Sequence, residues 1–252
     1  MFINKDILNI GKIFLNDNDF SFFKRVWSQD PNIYKDRLLS IDFNKKNNAL
    51  DAGCGFGQWS LQLSRLNNNI YAIDSNHNRI NILKELKKLK SIQNIHENVG
   101  DIQNLKFENN FFDIIFCYSS IYYSDISKTL DEFFRVLKPN GMIYISTNDI
   151  GWYLHNLIDG HNSDKYFNSK KMALKTIENS IKYYSLGIKE KGQVITPKFF
   201  MKNKMKEIGF KNIRIGSDGT LKNNKIEVKK FYPTSYDFGV IFDGVYEILA
   251  TK

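Results

Sequence analysis

Residues that staple or stiffen a small domain are scarce in this 252-residue sequence, which has two cysteines, four prolines and four histidines. Cys54 and Cys117 lie far apart with no CxxC spacing, so neither a disulfide framework nor a cysteine metal cage is expected. A reducing compartment fits that usage. Long apolar runs are also missing. A spanning helix needs about 18 uninterrupted apolar residues, and the best candidate, FFDIIFCYSSIYY, is broken by Asp113 and two serines. The opening stretch, MFINKDILNIGKIFL, has no charged leader, long apolar block or small-residue cleavage site. The expectation is a cytoplasmic protein without a membrane span.

What is present is material for a core. Apolar residues make up 42% and aromatics 14% of the chain, which favours one large domain with insertions. The formal charge of +9 is regional: residues 163–230 hold 17 Lys plus Arg against 6 Asp plus Glu. Two readings stay open, a lysine-rich solvated face or a surface that meets an anion.

Residues 1–46 read as amphipathic helical pieces (FSFFKRVW, IYKDRLLSI), a flap rather than a domain. From 47 to 150 short β-rich runs alternate with helical stretches: NALDA, a helix from Trp59 to Leu66, NIYAID, a helix from Arg79 to Lys90, a weak strand Ile95 to Val99, FDIIFC, a helix through TLDEFFRVL, a KPNG turn and MIYIST. Such alternation predicts a parallel sheet covered by helices on both faces, an α/β, Rossmann-like class. Residues 151–195 form a substrate-side insertion, with a helix from about Asp164 to Ser185. Residues 196–252 complete the sheet, with a loop excursion near 217–240.

The stretch LDAGCGFGQ places Gly53, Gly55 and Gly57 between a strand and a helix. Glycine is tolerated there when the backbone takes positive φ or a ligand approaches closely. In an open parallel sheet that position is where helix N–H groups meet a ligand. Asp74 ends the next strand about 20 residues on, the spacing at which a carboxylate accepts ribose hydroxyls. A dinucleotide fingerprint needs glycine at position 58, where the chain has Gln58. Asp51, just before the loop, would repel a pyrophosphate and suits a cofactor with a cationic end.

Together LDAGCGFG, YAID, VGDIQNLKF, FFDIIFCY and EFFRVLKPNGMIYIS resemble the class I S-adenosylmethionine-dependent methyltransferases over about 100 residues, Ala49 to Thr147. MKEIGFKNIRI looks like the final helix and strand of that fold. The resemblance implies a seven-stranded, mostly parallel sheet with the last strand antiparallel, and S-adenosyl-L-methionine as cofactor. It implies that Asp51, Gly53, Gly55 and Gly57 hold the amino acid half, with Cys54 shaping the loop. Asp74 would take the ribose, Asp101 and Ile102 would flank the adenine, and Tyr118 would lie beside the methyl donor.

Methyl transfer depends on orientation and a dry site, with a general base where a hydroxyl must lose its proton. His155 and His161 follow the fifth strand; His155 is the preferred base, with Asp149 its competitor. No metal is expected, because CYSS supplies no second carboxylate. Tyr118, Tyr122, Tyr123, Tyr183 and Tyr184 could wall an acceptor site. The leading expectation is O-methylation of a small polar acceptor, such as a nucleotide-linked or phosphorylated sugar for surface polysaccharide, its anionic handle held by region 163–230. The alternatives are an RNA methyltransferase, with KKFYPTSY as a contact patch, and a quinone or lipid methyltransferase. No motif specifies an oligomeric state.

Overall fold

The computed structural model describes residues 4–161 and 163–252. Three helices, α1 (Lys5–Phe14), α2 (Asp17–Trp27) and α3 (Asn32–Ser40), precede β1 (Asn48–Ala52). There follow α4 (Gln58–Leu66), β2 (Asn69–Asp74), α5 (His77–Leu89), β3 (Ile95–Val99), β4 (Phe112–Tyr118), α6 (Ile126–Val136) and β5 (Leu137–Asn148). Then come α7 (Ile150–Asp159), α8 (Ser169–Leu186), α9 (Lys198–Ile208), β6 (Lys211–Ser217), β7 (Ser235–Asp237), β8 (Ile241–Asp243) and β9 (Val245–Thr251).

Seven strands form one sheet in the order β3-β2-β1-β4-β5-β9-β6. β1 to β5 run parallel, and β9 is antiparallel to both of its neighbours. The expected architecture is therefore borne out. Period-2 alternation divides β1 between two cores. Ala49 joins Leu63, Leu83 and Phe116 beneath α3, α4 and α5, whereas Leu50 and Ala52 join Leu130, Phe133 and Met201 beneath α6 and α9. Both faces are covered, which is why the central strands read as continuous apolar runs.

Local chemistry sets the helix boundaries. The side chain of Asn76 accepts from the N–H groups of Asn78 and Arg79 at the start of α5, and Lys87 and Lys88 sit in its last turn. The expected helix from Asp164 begins later, at Ser169: the Asp164 carboxylate accepts from the N–H groups of Tyr166 and Phe167 in a tight turn, and Asn168 then caps α8. The KPNG turn is corrected too. Its residues lie inside β5 as a bulge, where the partner of Phe112 is Leu137 and that of Ile114 is already Met142; Asn140 takes the left-handed φ of 62°.

α1 packs on α5 and α3 on α4. Phe23 of α2 meets Phe56 of the glycine loop edge to face, ring centroids 5.3 Å apart. That contact holds α2 over the carboxyl ends of the parallel strands. The 217–240 excursion lies over the same rim, and its end folds into a hairpin of β7 and β8 against α7.

Candidate functional site

Gly53, Gly55 and Gly57 all take left-handed φ, at 74°, 54° and 81°. At Gly53 an added Cβ would stand 2.3 Å from the Ser120 Cβ, and at Gly57 2.5 Å from a Leu83 methyl. These two glycines let β1, β4 and α5 close around the loop. Gly55 differs, since nothing lies within 4 Å of the place its Cβ would occupy. Its face opens onto a cavity of about 870 Å³, near the upper end of the range for small-molecule sites.

Asp74 lines that cavity. One of its oxygens accepts from the Gly55 N–H at 2.9 Å and the other from the Asn76 N–H at 2.8 Å, so each keeps a lone pair for a ligand hydroxyl. Cys54, Asp101, Ile102 and Tyr118 also line the cavity. Asp101 is exposed and accepts from the Gln103 backbone and side-chain amides. Tyr118 packs on Trp59, centroids 4.7 Å apart, and burial holds its phenol neutral, well above its ordinary pKa.

Asp51 and Gly57 are not on the cavity wall. The Asp51 carboxylate is buried beneath the loop and accepts from Ser60 Oγ at 2.6 Å. Burial pushes its pKa up to about 7, against the lowering effect of Ser60. Its contribution to a bound cation is a field from below, not a contact.

His155 reaches the cavity from α7. Its Nδ1 lies 2.7 Å from Asp159 Oδ2; with Nδ1–H donated there, Nε2 is left as an acceptor. The ring stacks on Tyr236 at 4.4 Å, with His161 at 4.8 Å. Burial and the neighbouring His155 lower the pKa of His161. Asp149 has other work: it lies off the cavity, and its two oxygens accept from the N–H groups of Ile150 and Lys198, pinning the N-termini of α7 and α9 together. Burial raises its pKa, but it does not line the cavity.

Two further expectations are corrected. Tyr122, Tyr183 and Tyr184 stand away from the cavity wall, and Tyr183 and Tyr184 donate to Asp125 and to the Ile195 carbonyl. Of the basic residues in 163–230, only Lys229 and Lys230 line the cavity. Lys175 and Lys182 of α8 instead pair with Glu178 and Glu190.

Sequence reasoning missed the far wall. Phe22 and Arg25 of α2, Trp152 of α7 and the strap from Lys229 to Pro233 form much of it. The strap is anchored by Arg37, 0% exposed, which donates to Asp218 at 2.8 Å, to Glu247 and to the Lys229 carbonyl at 2.6 Å. Asp218 in turn accepts from the N–H groups of Phe231 and Tyr232. A buried arginine beside tyrosines and carboxylates leaves no spacing pattern. KKFYPTSY was the one visible signal, and Lys229 to Pro233 and Tyr236 line the cavity.

Residues 50–145 match a family model described as a methyltransferase domain. This stretch is a methyltransferase domain. The chain is 32% identical over 148 residues to a demethylmenaquinone methyltransferase of Leptospira interrogans, a match covering 56% of this chain and 58% of that one. With the enzyme of the same name from Staphylococcus haemolyticus it is 34% identical over 125 residues, covering 47% and 48%. The matches thus span about half the length of these curated relatives. Among solved structures, a methyltransferase dependent on S-adenosylmethionine from Aquifex aeolicus aligns over 98% of this chain and 99% of its own with a TM-score of 0.54 at 16% identity. The cyclase SpnF aligns over 83% and 75% with a TM-score of 0.55 at 15% identity. These two show the fold alone, since one fold carries several chemistries.

Family and fold imply S-adenosylmethionine as the cofactor. The methyltransferase domain's own residues fit it. Gly55 leaves open space where a side chain would stand. Gln58, Trp59 and Arg79 line the wall beside that space, and their Oε1, Nε1 and Nε atoms are buried without a hydrogen-bond partner among the described residues.

Proposed function

We propose that the protein transfers a methyl group from S-adenosylmethionine to a small acceptor with a flat, hydroxylated ring, and that His155 removes the hydroxyl proton. The observation that carries this reading is the continuity of one cavity from the glycine loop and Asp74 to the His155–Asp159 pair, between aromatic walls. The sugar-phosphate and RNA expectations both rested on the basic region, nearly all of which lies off the cavity. The quinone expectation was weakened only by that same region. Relatives named for demethylmenaquinone add support for a ring acceptor.

When bound, S-adenosylmethionine supplies a methyl group on a sulfonium cation. Asp51 and Asp74 contribute negative potential at the glycine end, favouring a cationic guest. Trp59, Tyr118, Trp152 and Tyr232 offer flat apolar surface that orients a ring and keeps water out. Asp159 fixes His155 and stabilises its imidazolium once Nε2 has taken the proton. The oxyanion so formed would be the nucleophile, directly or through a neighbouring ring carbon, toward the methyl group that the cofactor would supply by release of its thioether.

Incubation with labelled cofactor and separate pools of hydroquinones, nucleotide sugars and short RNAs tests the reading. Label in the hydroquinone pool supports it, and label only in nucleotide sugars or RNA refutes it.

A further inference from the structure

α8 is packed inside out. It buries Ser169, Ala173, Thr176, Asn179 and Ser180, while Leu174 is 57% and Ile181 64% exposed, with Leu186 at the helix end 67% exposed. The inward polar groups have employment. Asn179 donates to the carbonyls of Lys191 and Gln193, and Ser180 accepts from the Ile195 N–H. Among the described residues, the outward aliphatics join no hydrophobic cluster. Leu174 and Ile181, seven residues apart, share one face. On α9, Phe200 meets Tyr184 of α8 edge to face. Between 169 and 191 the chain carries six lysines against two glutamates.

We infer that α8 is a docking surface for an anionic lipid bilayer, with Leu174 and Ile181 entering the headgroup boundary and the flanking lysines meeting lipid phosphates. Exposed aliphatics rimmed by charge mark an interaction face, and Glu178, which lies between Leu174 and Ile181, is held by Lys175 and Lys182. A basic helix with an aliphatic face fits a membrane surface. The charge argues against a second copy of this chain, because the two lysine rims would repel. The aliphatic character argues against RNA, whose bases are held on aromatic or guanidinium planes. The inference depends on the surface of α8 alone, and it stands whichever acceptor the cavity takes.

The test is flotation of the full chain with vesicles of phosphatidylcholine alone and of phosphatidylcholine with phosphatidylglycerol. Partitioning at least about tenfold stronger onto the anionic vesicles is expected, falling with added salt. Leu174→Ser with Ile181→Ser should lower partitioning about tenfold, and Lys170→Gln with Lys171→Gln and Lys175→Gln by a further factor of about five per charge. Retained circular dichroism and cofactor binding certify the variants as folded. Equal affinity for both vesicle types, or none, overturns the inference. So does a wild-type dimer that the serine variant dissociates, or RNA retention that only the glutamine variant abolishes.

Discussion

At the glycine end of the cavity the decisive contacts are local. The Gly55 N–H reaches Asp74 across 19 residues, and the loop, strand and helix that place it are consecutive. At the acceptor end the wall is drawn from α2, α7 and the strap, and the strap hangs on an ion pair between residues 181 apart, Arg37 and Asp218. The first end lies within residues 50–145, the stretch that matches the methyltransferase model. The wall from α2, α7 and the strap lies outside that stretch. A cofactor site made of backbone geometry tolerates drift elsewhere, whereas an acceptor site made of distant side chains can be rebuilt without touching the cofactor.

Substitutions that separate the two ends sharpen the contrast. The largest effect is expected at His155. His155→Gln should cut kcat by about 10²–10⁴-fold while leaving affinity for S-adenosylhomocysteine unchanged by calorimetry. Loss of that affinity would mean the two ends are one unit. Next comes the strap. Arg37→Met leaves Asp218 and Glu247 as buried unpaired carboxylates, and urea unfolding should show a loss of about 3–5 kcal/mol. Hydrogen exchange should rise at 229–233 more than in β1.

Gly53→Ala should follow. The new Cβ meets Ser120 and adopts an unfavourable φ, so cofactor affinity should fall by about tenfold or more, at a stability cost of about 1–3 kcal/mol. Gly53→Ala combined with Ser120→Gly should recover part of the affinity, by the same calorimetry.

The smallest effect is a pH dependence. Asp51 has its folded pKa raised to about 7 from 3.8, so its ionisation opposes folding as pH rises through that interval. A cation bound above it favours the carboxylate. Affinity for S-adenosylmethionine should therefore rise from pH 6 to 8, by up to about tenfold per pH unit below the folded pKa, and Asp51→Asn should flatten the profile.

Much of the glycine end was legible because its signals are spacings. NALDA and the strand Ile95 to Val99 fall on β1 and β3, and the three glycines fall on the three left-handed positions. The KPNG bulge was misread because a turn and a bulge demand the same residues, and only the partner strand distinguishes them. Arg37 was illegible because burial of a charge depends on partners that no local pattern announces. The basic region misled for the opposite reason: its charge is real, but charge along a sequence does not say which way a helix faces. α8 turns its lysines and its leucines outward together.

The most direct measurement is calorimetric titration of the full chain with S-adenosylhomocysteine and, separately, with an oxidised nicotinamide dinucleotide. The account predicts saturable binding of the thioether at one site per chain, weakened by about tenfold or more in Gly53→Ala, and no heat from the dinucleotide. Tight dinucleotide binding with no response to the thioether would contradict it.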